Sequence, residues 1–190
     1  MKIYKLSADF DNYDACCIDY AACSKKYGIK EDYDMNIALD GSSVADSWWP
    51  RIMKRYNDAP LADYISKLSS DVIIMRRESI EKIEHLFCNY EILPLICDFG
   101  DYWAINIMDV LDCVDYDHSE FKRYSQSTTK GTPRIMRFIK FAFIPDRICG
   151  FHVFKIPDLP KAHIFVDEVF VNEVSKCNIT GFDFELVWEN

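Results

Sequence analysis

Residues 71–112, DVIIMRRESIEKIEHLFCNYEILPLICDFGDYWAINIMDVLD, restrict the fold more than any other stretch of this chain. The apolar run 72–75 suits a short buried strand. Ile80, Ile83, Leu86 and Phe87 then recur at spacings of three and four, which places them on one face of a helix. Residues 91–97 and 102–108 are rich in Ile, Leu and aromatics, and the Asp98-Phe99-Gly100-Asp101 turn between them predicts a hairpin. Nothing in this stretch is a catalytic motif.

The flanking segments read as further strands and short helices. Residues 2–6 can form a first strand. Cys16, Tyr20, Cys23 and Tyr27 fit a helical face, and residues 35–39 ahead of Asp40-Gly41 suit a strand entering a turn. Pro60 fits the first turn of a helix whose stripe is Leu61, Tyr64, Ile65 and Leu68. Residues 125–133, SQSTTKGTP, read as a loop. Residues 134–144 carry apolar side chains on both faces, which predicts a central strand, and 151–156 predict another. Asp167 can cap a helix bearing Phe170, Val174 and Cys177. Last, Phe182, Phe184, Leu186 and Trp188 alternate with Asp183, Glu185 and Glu189, as in a half-buried strand. Strands that follow hairpins and short helices without regular alternation predict an α+β fold with a largely antiparallel sheet. A doubly wound parallel sheet fits less well, because no Gly-rich turn opens a predicted helix.

At 190 residues, with 49% hydrophobic and 15% aromatic content, the chain has the size and core-forming material of one domain. Its formal charge of -9 argues against nucleic acid as a partner, since phosphate contacts need clustered Lys and Arg. The same charge suits a basic partner or plain solubility. The N-terminal residues MKIYKLSADFDNYD lack the apolar centre of a signal peptide, and no apolar run reaches membrane-spanning length, so a cytoplasmic protein without a membrane partner is expected. Eight cysteines with no C-x-x-C pair predict reduced core thiols.

Catalytic motifs are missing: the sequence has no H-E-x-x-H, Walker loop, G-x-S-x-G or G-x-G-x-x-G. His85, His118, His152 and His163 read as structural or surface histidines, and no cofactor is expected. Asp109, Asp112, Asp115 and Asp117, followed by His118 and Glu120, could supply oxygen ligands to a divalent cation, but Val110, Leu111, Cys113 and Val114 interrupt them as packing residues. An acidic rim at a strand end is the plainer reading. Residues 98–120 hold six Asp and one Glu with no Lys or Arg, whereas 121–149 hold seven Lys or Arg and one Asp. The two blocks either face each other or leave an acidic edge able to steer a basic partner. Trp48-Trp49-Pro50 should bury at least one indole, the alternative being an exposed aromatic anchor.

The order of these features resembles the bacterial immunity proteins of polymorphic toxin systems, a family typified by a myxobacterial protein and formerly a domain of unknown function. The matching residues are Val72-Ile73-Ile74 before the 77–87 helix, Glu91-Ile92-Leu93-Pro94-Leu95, the 102–112 strand with Leu111-Asp112, and Gly150-Phe151 with Val153-Phe154-Lys155-Ile156. They continue through Ile164-Phe165-Val166-Asp167 to Phe170 and end on Thr180-Gly181-Phe182-Asp183-Phe184 with Val187-Trp188, so the resemblance spans 45–188. It implies a non-enzymatic protein that binds a cognate toxin, encoded by a neighbouring gene, and neutralises it by steric occlusion. The residues expected at that interface are Asp109, Asp112, Asp115 and Asp117, with Trp48 and Trp49 as aromatic anchors. The alternatives are a metal-dependent enzyme using the acids of 109–120, or an interaction module unrelated to toxins.

Overall fold

Alternate side chains of the segment 72–75 feed two different cores: Val72 and Ile74 enter one, Ile73 and Met75 the other. The computed structural model describes residues 1–29, 39–66, 72–125 and 134–190. The chain runs β1 (Lys2–Ala8), β2 (Cys16–Ile18), α1 (Tyr20–Tyr27), β3 (Arg51–Arg55), β4 (Tyr64–Ser66), β5 (Ile73–Arg76), α2 (Arg77–Ile83), β6 (Tyr90–Cys97), β7 (Tyr102–Ile107), β8 (Glu120–Arg123), β9 (Ile135–Lys140), β10 (Val153–Phe154), β11 (Phe165–Asp167), α3 (Glu168–Lys176) and β12 (Phe182–Glu189). This is an α+β fold of mixed, mostly antiparallel sheets.

One sheet has the order β2-β3-β6-β7-β5-β4, a second the order β10-β11-β1-β12, and β8 and β9 pair as a two-stranded ribbon. Within the first, β3 runs parallel to β6, and the other ladders among the described residues are antiparallel. Ile73, Met75, Ile105 and Ile107 from the six-stranded sheet meet Leu6, Val153 and Val166 from the four-stranded one. Ile80 and Ile83 of α2 and Phe170 and Val174 of α3 complete this shared core. On the far face of the larger sheet, Ile74, Leu93 and Ala104 pack with Ile18, Cys23 and Leu39. On the far face of the smaller, Ile3, Phe154 and Phe165 pack with Cys113, Val114, Phe141 and Phe143. Strands β5 and β7 are therefore read on both faces, which is why their sequences are apolar at consecutive positions.

Several expectations change. The helix expected from Pro60 is instead the strand β4, with Tyr64 opposite Met75. Tyr64 enters the shared core and Ile65 the outer one, a period of two where Leu61, Tyr64 and Ile65 alone also satisfied a period near four. Leu68 lies outside the described residues, as do most of the expected 35–39 strand and of the 125–133 loop. Cys16 belongs to β2, ahead of the helix, which Asp19 caps by accepting from Ala22 N. The strand expected over 151–156 is shorter, Val153–Phe154.

The central strand expected over 134–144 is also corrected. β9 pairs with β8 in a ribbon and leaves Met136 and Ile139 41% and 58% exposed, while Phe141, Ala142 and Phe143 beyond it are buried. The two-faced apolar pattern arose from a change of role at Lys140, not from a strand buried on both sides.

The C-terminal strand pairs with β1 as expected, but its alternation breaks. Ile3 lies opposite Trp188 and Tyr4 opposite Leu186, so Val187 is an extra residue in a β-bulge. The bulge moves Trp188 to the outer face, where its ring meets Phe143 at 5.9 Å, and leaves Leu186 47% exposed.

Candidate functional site

After β7 the chain crosses the outer face of the four-stranded sheet, held by hydrogen bonds on both sides. Lys155 N donates to Asp109 O at 2.8 Å, Leu111 N to Lys155 O at 2.8 Å, Ile144 N to Cys113 O at 2.8 Å and Asp115 N to Ala142 O at 2.9 Å. Cys113 and Val114 are buried between these supports. Burial pushes the Cys113 thiol up to about 12. With the apolar side chains turned inward, Asp112, Asp115 and Asp117 are left at the edge.

Asp109 is not part of that edge. It is 5% exposed, and its carboxylate accepts from Asn89 N at 2.9 Å and Asn89 Nδ2 at 2.8 Å. Its role is to fix where the edge begins. Asp112 receives Arg147 Nη1 on its carbonyl at 2.7 Å and on its carboxylate at 3.2 Å, yet its side chain is 73% exposed. Here alone the acidic and basic blocks meet in an ion pair among the described residues. Asp115 accepts from Asp117 N and His118 N and contacts His118 Nδ1 at 2.7 Å. The His118 hydrogen bond, helped by its charge, holds the Asp115 carboxyl below the usual carboxylate range. Asp115 therefore organises the turn, and Asp117 projects from it.

Sequence reading missed two residues here. Tyr116, 40% exposed, donates its hydroxyl to Asp158 Oδ2 at 2.6 Å. Burial and then Asp158 raise the phenol above its ordinary value. Tyr116 was visible inside the acidic run as an aromatic, but Asp158 lies 42 residues away and gave no signal.

Trp48 and Trp49 sit elsewhere, against the cluster on the outer face of the six-stranded sheet. Neither is fully buried, contrary to expectation. The Arg51 guanidinium lies 4.2 Å from the Trp48 ring centre and 3.9 Å from that of Trp49, a cation–π contact with both. Trp48 Nε1 donates to Pro94 O at 2.9 Å, and Tyr27 packs on Trp49 with tilted rings whose centres lie 4.7 Å apart. Glu91 fixes the approach to this pair, accepting from Ser43 Oγ, Val44 N, Ala45 N and Asn106 Nδ2. Burial alone would raise its carboxyl, but these donors outweigh it and leave the group below its usual value.

Among the described residues, no group of three or more His, Cys, Asp or Glu converges on a metal-sized site. All eight cysteines are free, and Cys88 and Cys149 are exposed, not core thiols. His85 is exposed, while His152 contacts Asp167 at 2.8 Å beside the helix cap. No helix among the described residues is long and apolar enough to cross a membrane.

Residues 96–188 match the Imm11 immunity protein family. The Imm11 match takes in β7, the whole acidic edge, the β8–β9 ribbon and the β10 to β12 unit. It begins later than the sequence resemblance, which started at residue 45, and so leaves out Trp48 and Trp49. The Imm11 match supports an immunity function. No curated protein matches the chain.

Proposed function

We propose that this chain is an immunity protein that binds a toxin domain encoded by a neighbouring gene and blocks it by steric occlusion, without catalysing a reaction. It acts in the cytoplasm of the cell that makes the toxin. The observation that supports this reading is the Imm11 match over 96–188. The interface we assign is the edge of Asp112, Asp115 and Asp117, braced from within by Asp109. Three features favour it: the Asp112 and Asp117 carboxylates are exposed and that of Asp115 is half-buried beside them, their backbone is held in place, and Tyr116 offers an aromatic next to them. Trp48 and Trp49 form a second candidate patch, though the stacking of Arg51 on both rings limits what a partner can reach.

Co-expression tests the reading. The C-terminal domain of the neighbouring gene product should kill cells alone, be tolerated with this chain, and co-purify with it. A harmless neighbour that does not co-purify would overturn the proposal.

A further inference from the structure

The ribbon carries an arrangement that folding alone does not account for. Phe121 and Phe138 are paired across it and half-buried; their rings are 5.6 Å apart, and Phe138 stacks on Phe141 at 4.6 Å. This face anchors the ribbon to the core. The next pair is Lys122 opposite Arg137, both exposed on the other face. Like charges directly opposite each other destabilise a strand pair. Neither cation has an ion pair among the described residues, although the chain carries a net charge of -9 and acids are plentiful.

Two bulges flank this pair. Ile139 is the extra residue between the Glu120–Lys140 and Phe121–Phe138 pairs, and Met136 the extra residue beyond Arg137. Both are large apolar side chains left exposed, at 58% and 41%. Bulges re-aim side chains, and here they set an Ile and a Met on either side of two adjacent cations.

We propose that the outward face of the β8–β9 ribbon, formed by Lys122, Arg137, Met136 and Ile139, is a docking surface for an acidic peptide segment that also bears apolar side chains. The two cations take its carboxylates, and Met136 and Ile139 cover its apolar groups. Nucleic acid fits this face less well, because Met136 and Ile139 give bases nothing to stack on and Tyr124 is the one exposed aromatic near the two cations among the described residues. The surface adjoins the acidic edge, where the Tyr116 ring lies 6.1 Å from that of Phe121, but it is opposite in sign and uses none of the carboxylates assigned to the toxin interface above.

The test uses the full chain and a fluorescein-labelled synthetic peptide of alternating Glu and Leu, with single-stranded DNA as the competing probe, read by fluorescence anisotropy. The peptide should bind the wild type, more weakly as salt rises. The double variant K122E/R137E should lose at least about tenfold in affinity. It retains a like-charge pair, so its melting temperature should stay near that of the wild type, which separates lost binding from lost folding. M136S/I139S, with both cations in place, should also weaken binding. The single variant Lys122→Glu should melt higher than the wild type, since it places opposite charges across the ribbon. No binding of the peptide, equal binding by K122E/R137E, or DNA binding tighter than peptide binding would each overturn the proposal.

Discussion

Asp63 and Thr180 grip each other across 117 residues of sequence. Thr180 N and Oγ1 donate to Asp63 Oδ2 at 2.9 and 2.8 Å, and Asp63 N donates back to Thr180 Oγ1 at 3.0 Å. Ser79 Oγ donates to the other carboxylate oxygen at 3.0 Å, so one side chain joins the entry to β4, the first turn of α2 and the entry to β12. Burial by itself would raise the Asp63 carboxyl; Thr180, Ser79 and the charge of Arg76 outweigh it and hold the group below its usual range.

The sign of the resulting pH dependence follows. A carboxyl depressed in the folded state contributes fully above its unfolded value of about 4, and the contribution is lost as pH falls through the lower folded value. Asp63→Asn should therefore lower stability by about 1–3 kcal/mol at neutral pH, with the gap to the wild type closing below about pH 4. Chemical denaturation at pH 7 and pH 3 checks both parts. An equal gap at both values would show that the carboxylate charge is not what Thr180 and Ser79 recognise.

Gly181 follows at once, with a φ of 94°, and a Cβ there would lie 2.1 Å from Tyr64 O and 2.5 Å from the Ala62 side chain. Gly150 has a similar φ of 89° but nothing within 4 Å of its Cβ position. Both Gly→Ala changes carry the left-handed backbone cost of about 1–2 kcal/mol, but only Gly181→Ala adds a collision with backbone. Thermal unfolding should show Gly181→Ala melting well below Gly150→Ala. Matching melting temperatures would contradict the close approach of β12 to β4.

The bulge at Val187 makes a testable distinction between two residues that sequence alternation treats alike. Trp188→Ala should cost about 2–3 kcal/mol, less than a fully buried aromatic because the ring is half-buried against Phe143, whereas Leu186→Ala should cost less than about 1 kcal/mol. Truncation after Thr180 should abolish cooperative unfolding, because it removes Phe182, Phe184 and Trp188 and strips β1 of a partner. If Leu186 proves the costlier of the two, the alternation is regular and the bulge is wrong.

At the acidic edge, replacing Asp112, Asp115 and Asp117 together with Lys should slow association with the toxin domain by about tenfold or more at low salt. The difference should shrink as ionic strength rises and the Debye length falls to about 8 Å. Stopped-flow mixing at two salt concentrations measures it. Circular dichroism should show the variant folded, since these carboxylates lie outside the cores. An unchanged association rate at low salt would mean that this edge does not face the toxin.

Strand and helix patterning along 72–107, the capped helix after Asp167, the pairing of the C-terminal strand into a sheet and the α+β class were all legible in the sequence, because each depends on the local period of apolar residues. The run of acids from Asp112 to Asp117 was visible too, although the expected set also held Asp109, which is buried. The sequence by itself determined which segments carry the apolar side chains that build the cores, while Met136, Ile139 and Leu186 within those segments stay exposed. Tertiary structure decided which of several compatible partners they met: Tyr64 and Ile65 fit a helix until Met75 and Thr180 pulled them into a strand. Likewise Asp109 looked like its neighbours until Asn89 enclosed it, and Trp188 looked like Leu186 until one extra residue turned it to the other face. These outcomes rest on contacts between segments distant in the chain, and a periodicity read within one segment contains no information about its partner.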